Sequence, residues 1–73
     1  MTDTKLLEAL ISKKGIKKGK IAEKLNVSYN TLKRKINNEV PFNASEITIM
    51  CNVLQIESLR EKEAIFFAVN VGK

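Results

Sequence analysis

The sequence predicts an all-α protein, a compact bundle of about five helices. Apolar residues recur at the three- and four-residue spacing of a helix along most of the chain. Residue types that favour helix starts, such as serine, asparagine and aspartate, alternate with glycine and asparagine residues that favour helix ends. Because the chain has 73 residues and no repeat or linker-like segment, we expect one domain, residues 1–73, with a small core.

The first predicted helix ends at about Lys14. Asp3 or Thr4 can cap its start, and Gly15 can end it by adopting a left-handed backbone. Its apolar stripe consists of Leu6, Leu7, Leu10 and Ile11.

Residues 18–37 are predicted to form a helix-turn-helix. Asn26 suits the left-handed position of a tight turn, and Ser28 is placed to cap the following helix. On that following helix Leu32 and Ile36 fall close together, so we expect them to be buried. A helix with one buried edge and one polar face is typical of the second helix of such a motif. Asn38 can end it in the left-handed conformation.

The polar face of that second helix carries amide and basic side chains and no carboxylate. A merely solvated helix face usually mixes the two signs of charge, whereas arginine, lysine and asparagine match the base edges of guanine and adenine. Tyr29 lies at the border of the two faces, where core packing and a nucleic-acid contact are equally compatible with its position. The predicted DNA contacts of this helix are Ser28, Tyr29, Asn30, Lys33, Arg34 and Asn37.

Lysines crowd the start of the preceding helix, at about residue 18. Each cation there destabilises the helix by roughly a few tenths of a kcal/mol, because it is repelled by the positive end of the helix dipole. The stability of the helix therefore does not explain why lysines occur at these positions. A phosphate bound at this helix N-terminus would make them favourable, and a tolerated surface cluster is the alternative. The lysines predicted to contact phosphate are Lys17, Lys18 and Lys20.

The net charge of +5 is unevenly distributed along the chain. Residues 1–37 carry a net charge of +7, and residues 38–73 carry −2. A basic segment is often only a solvated surface. Its coincidence with the predicted motif favours a polyanionic partner.

The second half of the chain predicts two more helices and a surplus of apolar residues. Two capping-box patterns, at residues 43–46 and 58–61, open helices that reach about Leu54 and Phe67. Cys51 lies in an apolar stripe and is expected to be a small buried residue. Phe66 or Phe67 would close the core, or the segment 64–73 would serve dimerisation or a partner. The residues of this predicted protein interface are Ile49, Val53, Phe66, Phe67, Val69 and Val71.

Composition argues against several classes of protein. The chain has no histidine and one cysteine, which argues against a disulfide framework, a Cys/His zinc site and most catalytic constellations. We therefore expect no enzyme activity, metal or cofactor. The longest apolar run has six residues and no signal-like segment is present, so we expect a protein of a reducing compartment, the cytoplasm, without a membrane span.

The segments IAEKLNVSYNTLKRKIN and PFNASEITIMCNVLQI resemble the Cro/CI-type, or XRE-type, helix-turn-helix family. The similarity extends from Leu6 to about Ile56. The combination of KRKINNEVPF with SEI and the later FF resembles small lysogeny-switch proteins of temperate phages of Gram-positive bacteria. These include Cro-like regulators and modulator-of-repression antirepressors. The resemblance implies a lambda-repressor-like bundle that usually acts as a dimer on an operator.

By position, the resemblance assigns Lys18 to a phosphate, Asn37 to the DNA backbone and residues 28–30, 33 and 34 to bases or phosphates. Two positions depart from the family pattern. Asn26 stands where glycine is usual, and Lys35 stands where an aromatic or aliphatic residue is common, with Ile36 taking its packing role.

Two functions follow as hypotheses. The first is a sequence-specific regulator of a phage genetic switch, with a recognition helix at about residues 28–37 in the major groove of a double-stranded DNA operator. The second is an antirepressor that forms a heteromeric complex with a phage repressor and modulates its DNA binding. A homodimer is compatible with both.

Overall fold

A computed structural model describes residues 1–69 of the chain. Within this range the protein consists of five α-helices and has no strand, which confirms the predicted all-α class. Val71, one of the predicted interface residues, lies outside the described residues. The helices are α1 (Thr4–Lys14), α2 (Lys18–Leu25), α3 (Tyr29–Ile36), α4 (Ala44–Leu54) and α5 (Leu59–Phe66).

Side chains cap the N-termini of four helices, as their sequences predicted. At α4, Asn43 and Glu46 form both hydrogen bonds of a capping box. At α5, the Ser58 hydroxyl accepts the Glu61 backbone N–H, but the reciprocal bond of the expected capping box is not formed within the described residues. Helix α2 has Lys17 at its N-cap position and no side-chain cap. The four capping side chains are Asp3, Ser28, Asn43 and Ser58.

At four helix ends the chain turns through a residue with a positive φ, which is the C-cap of α1, α2 and α4 and the residue after the C-cap of α3. Gly15, Asn26 and Asn38 confirm the predicted stops, with φ of 70°, 58° and 67°. Gln55, with φ of 58°, was not predicted. At the end of α4 the Ile56 N–H donates to the Cys51 carbonyl at 2.8 Å while the Ile56 side chain is buried, so burial of the next residue offsets the strain at Gln55.

All five helices contribute side chains to one core. Leu32 and Ile36 are buried, as predicted for the inner side of α3. Burying one such aliphatic side chain stabilises the fold by about 1.5–3 kcal/mol. The largest fully buried side chains are Leu7, Ile21, Leu32, Ile36, Met50, Leu54 and Ile65.

Phe66 belongs to this core, the first of the two alternatives predicted for it, and is not on an interaction surface. It is 4% exposed, and its ring meets that of Phe42 edge-on with 5.6 Å between centroids. Phe67 and Val69, by contrast, are 55% and 79% exposed. Helical periodicity places neighbouring phenylalanines about 100° apart, so only one of them can face the core.

The segment before α1 ties the C-terminal end of α3 to the core. The Thr2 N–H donates to Asn38 Oδ1 at 2.8 Å, and Asn38 Nδ2 donates to the Thr2 carbonyl at 2.7 Å. The Thr4 hydroxyl donates to the Ile36 carbonyl at 2.6 Å. Asn38 therefore ends α3 through its backbone and holds the end in place through its amide.

Replacing Asn38 tests these two roles separately. Asn38→Gly keeps the positive φ but removes both hydrogen bonds, and should lower the free energy of unfolding by about 2 kcal/mol. Asn38→Ala also forces a methyl group into a left-handed backbone, which should cost about 1 kcal/mol more. Urea denaturation of both variants gives the difference, and equal destabilisation would show that the backbone conformation contributes nothing.

Candidate nucleic-acid interface

The outward side of α3 presents a continuous polar surface. It forms a shallow depression of about 500 Å³. Leu32 and Ile36 anchor the opposite side of the helix in the core. We call this surface the α3 face; its residues, all exposed, are Asn30, Lys33, Arg34, Asn37 and Glu39.

The first turn of α3 is internally ordered. The Ser28 hydroxyl accepts the Thr31 N–H at 3.1 Å and donates to Thr31 Oγ1 at 2.9 Å. Tyr29 is 50% exposed, and Lys33 Nζ lies 5.8 Å from the centre of its ring, a cation–π distance. Ser28 can donate to a phosphate only by leaving Thr31, whereas Tyr29 is accessible where it stands.

Lys35 is buried, although it belongs to the basic last turn of α3. It is 8% exposed, and its Nζ donates to the Pro41 carbonyl at 3.1 Å and to Glu46 Oε1 at 3.0 Å. Its ammonium also lies 6.0 Å from the centre of the Phe42 ring. The packing role expected of Ile36 alone is therefore shared with Lys35, whose charge is neutralised internally.

Glu46 links the start of α4 to this buried lysine. Its Oε1 accepts the Asn43 N–H and the Lys35 ammonium, both at 3.0 Å. Burial raises the pKa of the Glu46 carboxyl, but the hydrogen bonds from Asn43 and Lys35 and the lysine charge outweigh burial, so the pKa lies below its usual 4.5. The ionised carboxylate is the form that holds α3 against α4.

The lysines at the start of α2 differ in their availability. Lys18 Nζ lies 2.8 Å from one carboxylate oxygen of Glu8 and 2.9 Å from the other, so Glu8 on α1 already holds it. Lys20 lies 3.7 Å from Glu23 in an exposed pair, and Lys17 is exposed. The contact with Glu8 has no local signal in the sequence, because ten residues and a turn separate Glu8 from Lys18.

A carboxylate also reaches the α3 face, which the helix sequence alone predicted to be free of acid. Glu39 Oε1 lies 3.5 Å from Arg34 Nε. Glu39 follows the left-handed Asn38, so the chain reverses there and returns toward Arg34. The signal was present in the sequence, since Asn38 was already predicted to be the stop.

The described residues 1–69 contain no group of three or more histidine, cysteine, aspartate or glutamate residues that could hold a metal ion. Cys51 is partly buried against the core. Burial raises the pKa of its thiol, which Lys62 opposes and Glu61 reinforces. Nor is any helix in this part of the chain both long and apolar enough to cross a membrane.

The remaining apolar candidates are dispersed. Ile49 and Val53 are partly buried against the core and border a shallow groove between α2 and α4. Phe67 and Val69 lie exposed beyond α5. Phe67 borders a different depression, beside Phe42 and Phe66.

Comparisons of this chain with known protein families, with curated proteins and with solved structures found no match.

The Glu46 pair predicts an acid-sensitive part of the stability. Because the folded-state pKa lies below 4.5, the carboxylate stabilises the fold above about pH 4.5, and this contribution is lost as the pH falls through the folded pKa. Near neutral pH, Glu46→Gln should lower the free energy of unfolding by about 2 kcal/mol, as for a lost charge-assisted hydrogen bond.

Urea titrations between roughly pH 3 and pH 7, the range in which carboxyl groups titrate, measure that difference. It should shrink in the acidic part of the range. Glu57→Gln, at an exposed position outside the pair, is the matched control. A difference that stays constant with pH would contradict the role of the ionised carboxylate.

Proposed function

We propose that this protein is a sequence-specific double-stranded-DNA-binding transcriptional regulator, in which α2 and α3 form a helix-turn-helix. The observation that carries the proposal is the α3 face, which is exposed while the opposite side of α3 is anchored in the core. The resemblance to lysogeny-switch proteins leads us to propose a phage genetic switch as its setting.

The dimensions of α3 suit the major groove. An α-helix with its side chains is about 10–12 Å across, and the major groove of B-form DNA is about 12 Å wide, so the eight-residue α3 can enter it. The corresponding groove of A-form RNA is too narrow and deep for side chains to read. Duplex DNA is therefore the nucleic acid that we propose.

The chemistry of the α3 face suits base edges. Arg34 and Lys33 can donate to guanine O6 and N7, and Asn30 or Asn37 can pair with adenine N6 and N7. The described hydrogen bonds leave the amides of Asn30 and Asn37 without internal partners among residues 1–69. Asn30, Lys33 and Arg34 are our proposed base readers, and Asn37, which the resemblance assigns to the DNA backbone, borders them.

Phosphate contacts would come from the start of α2 and from Tyr29. Lys17 and Lys20 are exposed there, and the N-terminus of α2 has no side-chain cap. An uncapped helix N-terminus favours an anion through its free N–H groups and its dipole. Lys18 would join them by exchanging Glu8 for a phosphate.

A second candidate function is that of an antirepressor that binds a partner repressor. The observation that favours it is the exposure of Phe67 and Val69, two large apolar side chains separated by one residue beyond α5. Clustered exposed apolar side chains are typical of protein contacts. Retention of a partner repressor in the absence of DNA separates this function from the first.

Arg34→Ala tests the role of the α3 face. After selection of bound duplexes from a random pool, wild-type protein should prefer the selected duplex over random DNA. Arg34→Ala should reduce that preference by about 1–3 kcal/mol at particular base pairs, because one bidentate contact is lost. Fluorescence titration at fixed moderate salt measures both affinities.

Arg60→Ala is the control for this titration. Arg60 is an exposed arginine on α5, outside the α3 face, and its removal changes the net charge equally. It should leave the preference unchanged. Wild-type protein that binds no duplex more tightly than random DNA would refute the proposed function.

Glu8→Gln tests whether Lys18 contacts phosphate. In the wild type, Lys18 must give up Glu8 to bind DNA, and a partly exposed pair of this kind is worth about 0.2–1 kcal/mol. The variant should bind all duplexes more tightly by a similar amount, measured by the same titration. Glu57→Gln makes the same change of charge and is the control. If both variants change the affinity for DNA equally, Lys18 does not contact phosphate.

A further inference from the structure

We propose that Glu39 determines specificity, by positioning the Arg34 guanidinium for guanine while opposing indiscriminate attraction to phosphate. This inference rests on the proposed function. It goes beyond it by assigning a role to an acidic residue on a surface that otherwise attracts DNA.

The backbone turn that follows α3 brings Glu39 next to Arg34, and hydrogen bonds hold this turn in place. Asn38 adopts a left-handed conformation, and the Glu39 N–H donates to the Arg34 carbonyl at 2.8 Å. The same turn is held by the two hydrogen bonds between Asn38 and Thr2. The backbone position of Glu39 is therefore fixed by the way α3 ends, which keeps its side chain within reach of Arg34.

The side-chain contact occupies one particular edge of the guanidinium. Glu39 Oε1 lies 3.5 Å from Arg34 Nε. This is the closest approach of the two groups, and neither Nη group of Arg34 donates a hydrogen bond within residues 1–69. A carboxylate on the Nε side leaves the two Nη groups as a fork, which is one geometry that guanine O6 and N7 accept.

The ion pair between Glu39 and Arg34 should be stronger in the complex with DNA than in the free protein. Both side chains are more than half exposed, so the pair contributes little in the free protein. In a groove from which water is displaced, the same attraction strengthens and restricts the rotamers of Arg34. In the complex the Glu39 carboxylate also lies near DNA phosphates of like charge, and this repulsion weakens binding to every DNA sequence.

These two effects predict opposite changes when the charge of Glu39 is removed. Binding to random DNA should strengthen, because a repulsive charge is lost. Discrimination for the base pair read by Arg34 should weaken, because the guanidinium is no longer held. Electrostatic repulsion alone would strengthen binding to every sequence equally and leave discrimination unchanged.

Glu39→Gln is the decisive variant, with Glu57→Gln as the control of equal charge change outside the α3 face. The readouts are affinities for the selected duplex, for duplexes substituted at the base pair that Arg34→Ala identifies, and for random DNA. We expect discrimination at that base pair to fall about two- to fivefold, the range of a weak ion pair. Affinity for random DNA should rise relative to the control.

A double-mutant cycle shows whether Glu39 acts through Arg34. In the Arg34→Ala background, Glu39→Gln should no longer change discrimination. If Glu39 still affects it there, the carboxylate reads a base itself, for example cytosine N4, and the positioning role is overturned. The Arg34 Nε resonance in nuclear magnetic resonance spectra of the free protein should also shift in Glu39→Gln and remain unchanged in Glu57→Gln.

The outcomes distinguish this inference from the proposed function. Selective DNA binding that Glu39→Gln leaves unaltered overturns the role of Glu39 and retains the function. Absence of selective binding by the wild type overturns the function and, with it, this inference. Circular dichroism of each variant confirms that it remains folded before its affinities are compared.

Discussion

The fixed rotation of α3 is the constraint on which the rest of this structure depends. Leu32 and Ile36 set which side of the helix faces the core. Two polar ties act in addition: Lys35 binds Glu46 at the start of α4, and Asn38 binds the backbone of Thr2. Apolar packing alone tolerates some rotation of a helix, whereas directional hydrogen bonds at its last turn and its end do not.

Internal ion pairs reduce the charge that this molecule offers to a polyanion. Lys35 is buried with Glu46, and Lys18 is held by Glu8. Arg34 remains exposed but has Glu39 beside it. In the proposed interface, some basic side chains must give up a carboxylate of the protein in order to bind DNA. This requirement lowers the affinity for all DNA and so favours discrimination between sequences.

Local sequence rules predicted the helices and most of their ends. Asp3, Ser28 and Asn43 were identified as caps and Gly15 and Asn26 as left-handed stops, because capping depends on groups within about four residues. Gln55 was missed since its residue type gives no signal for a positive φ. Its conformation follows from the burial of Ile56, a tertiary effect.

The candidate site divides in the same way. Amphipathic spacing by itself determined that Leu32 and Ile36 lie inside and that Asn30 and Arg34 lie outside, because a helix has a fixed period. Only the tertiary structure decided that Lys35 is buried.

The tertiary structure also decided that Glu8 and Glu39 pair with predicted DNA-contact residues, and that Phe66 fills the core while Phe67 stays exposed. The physical reason is that these outcomes depend on which segments meet after the chain has turned. Charges and rings that are distant in sequence come together there, and no local periodicity encodes their pairing.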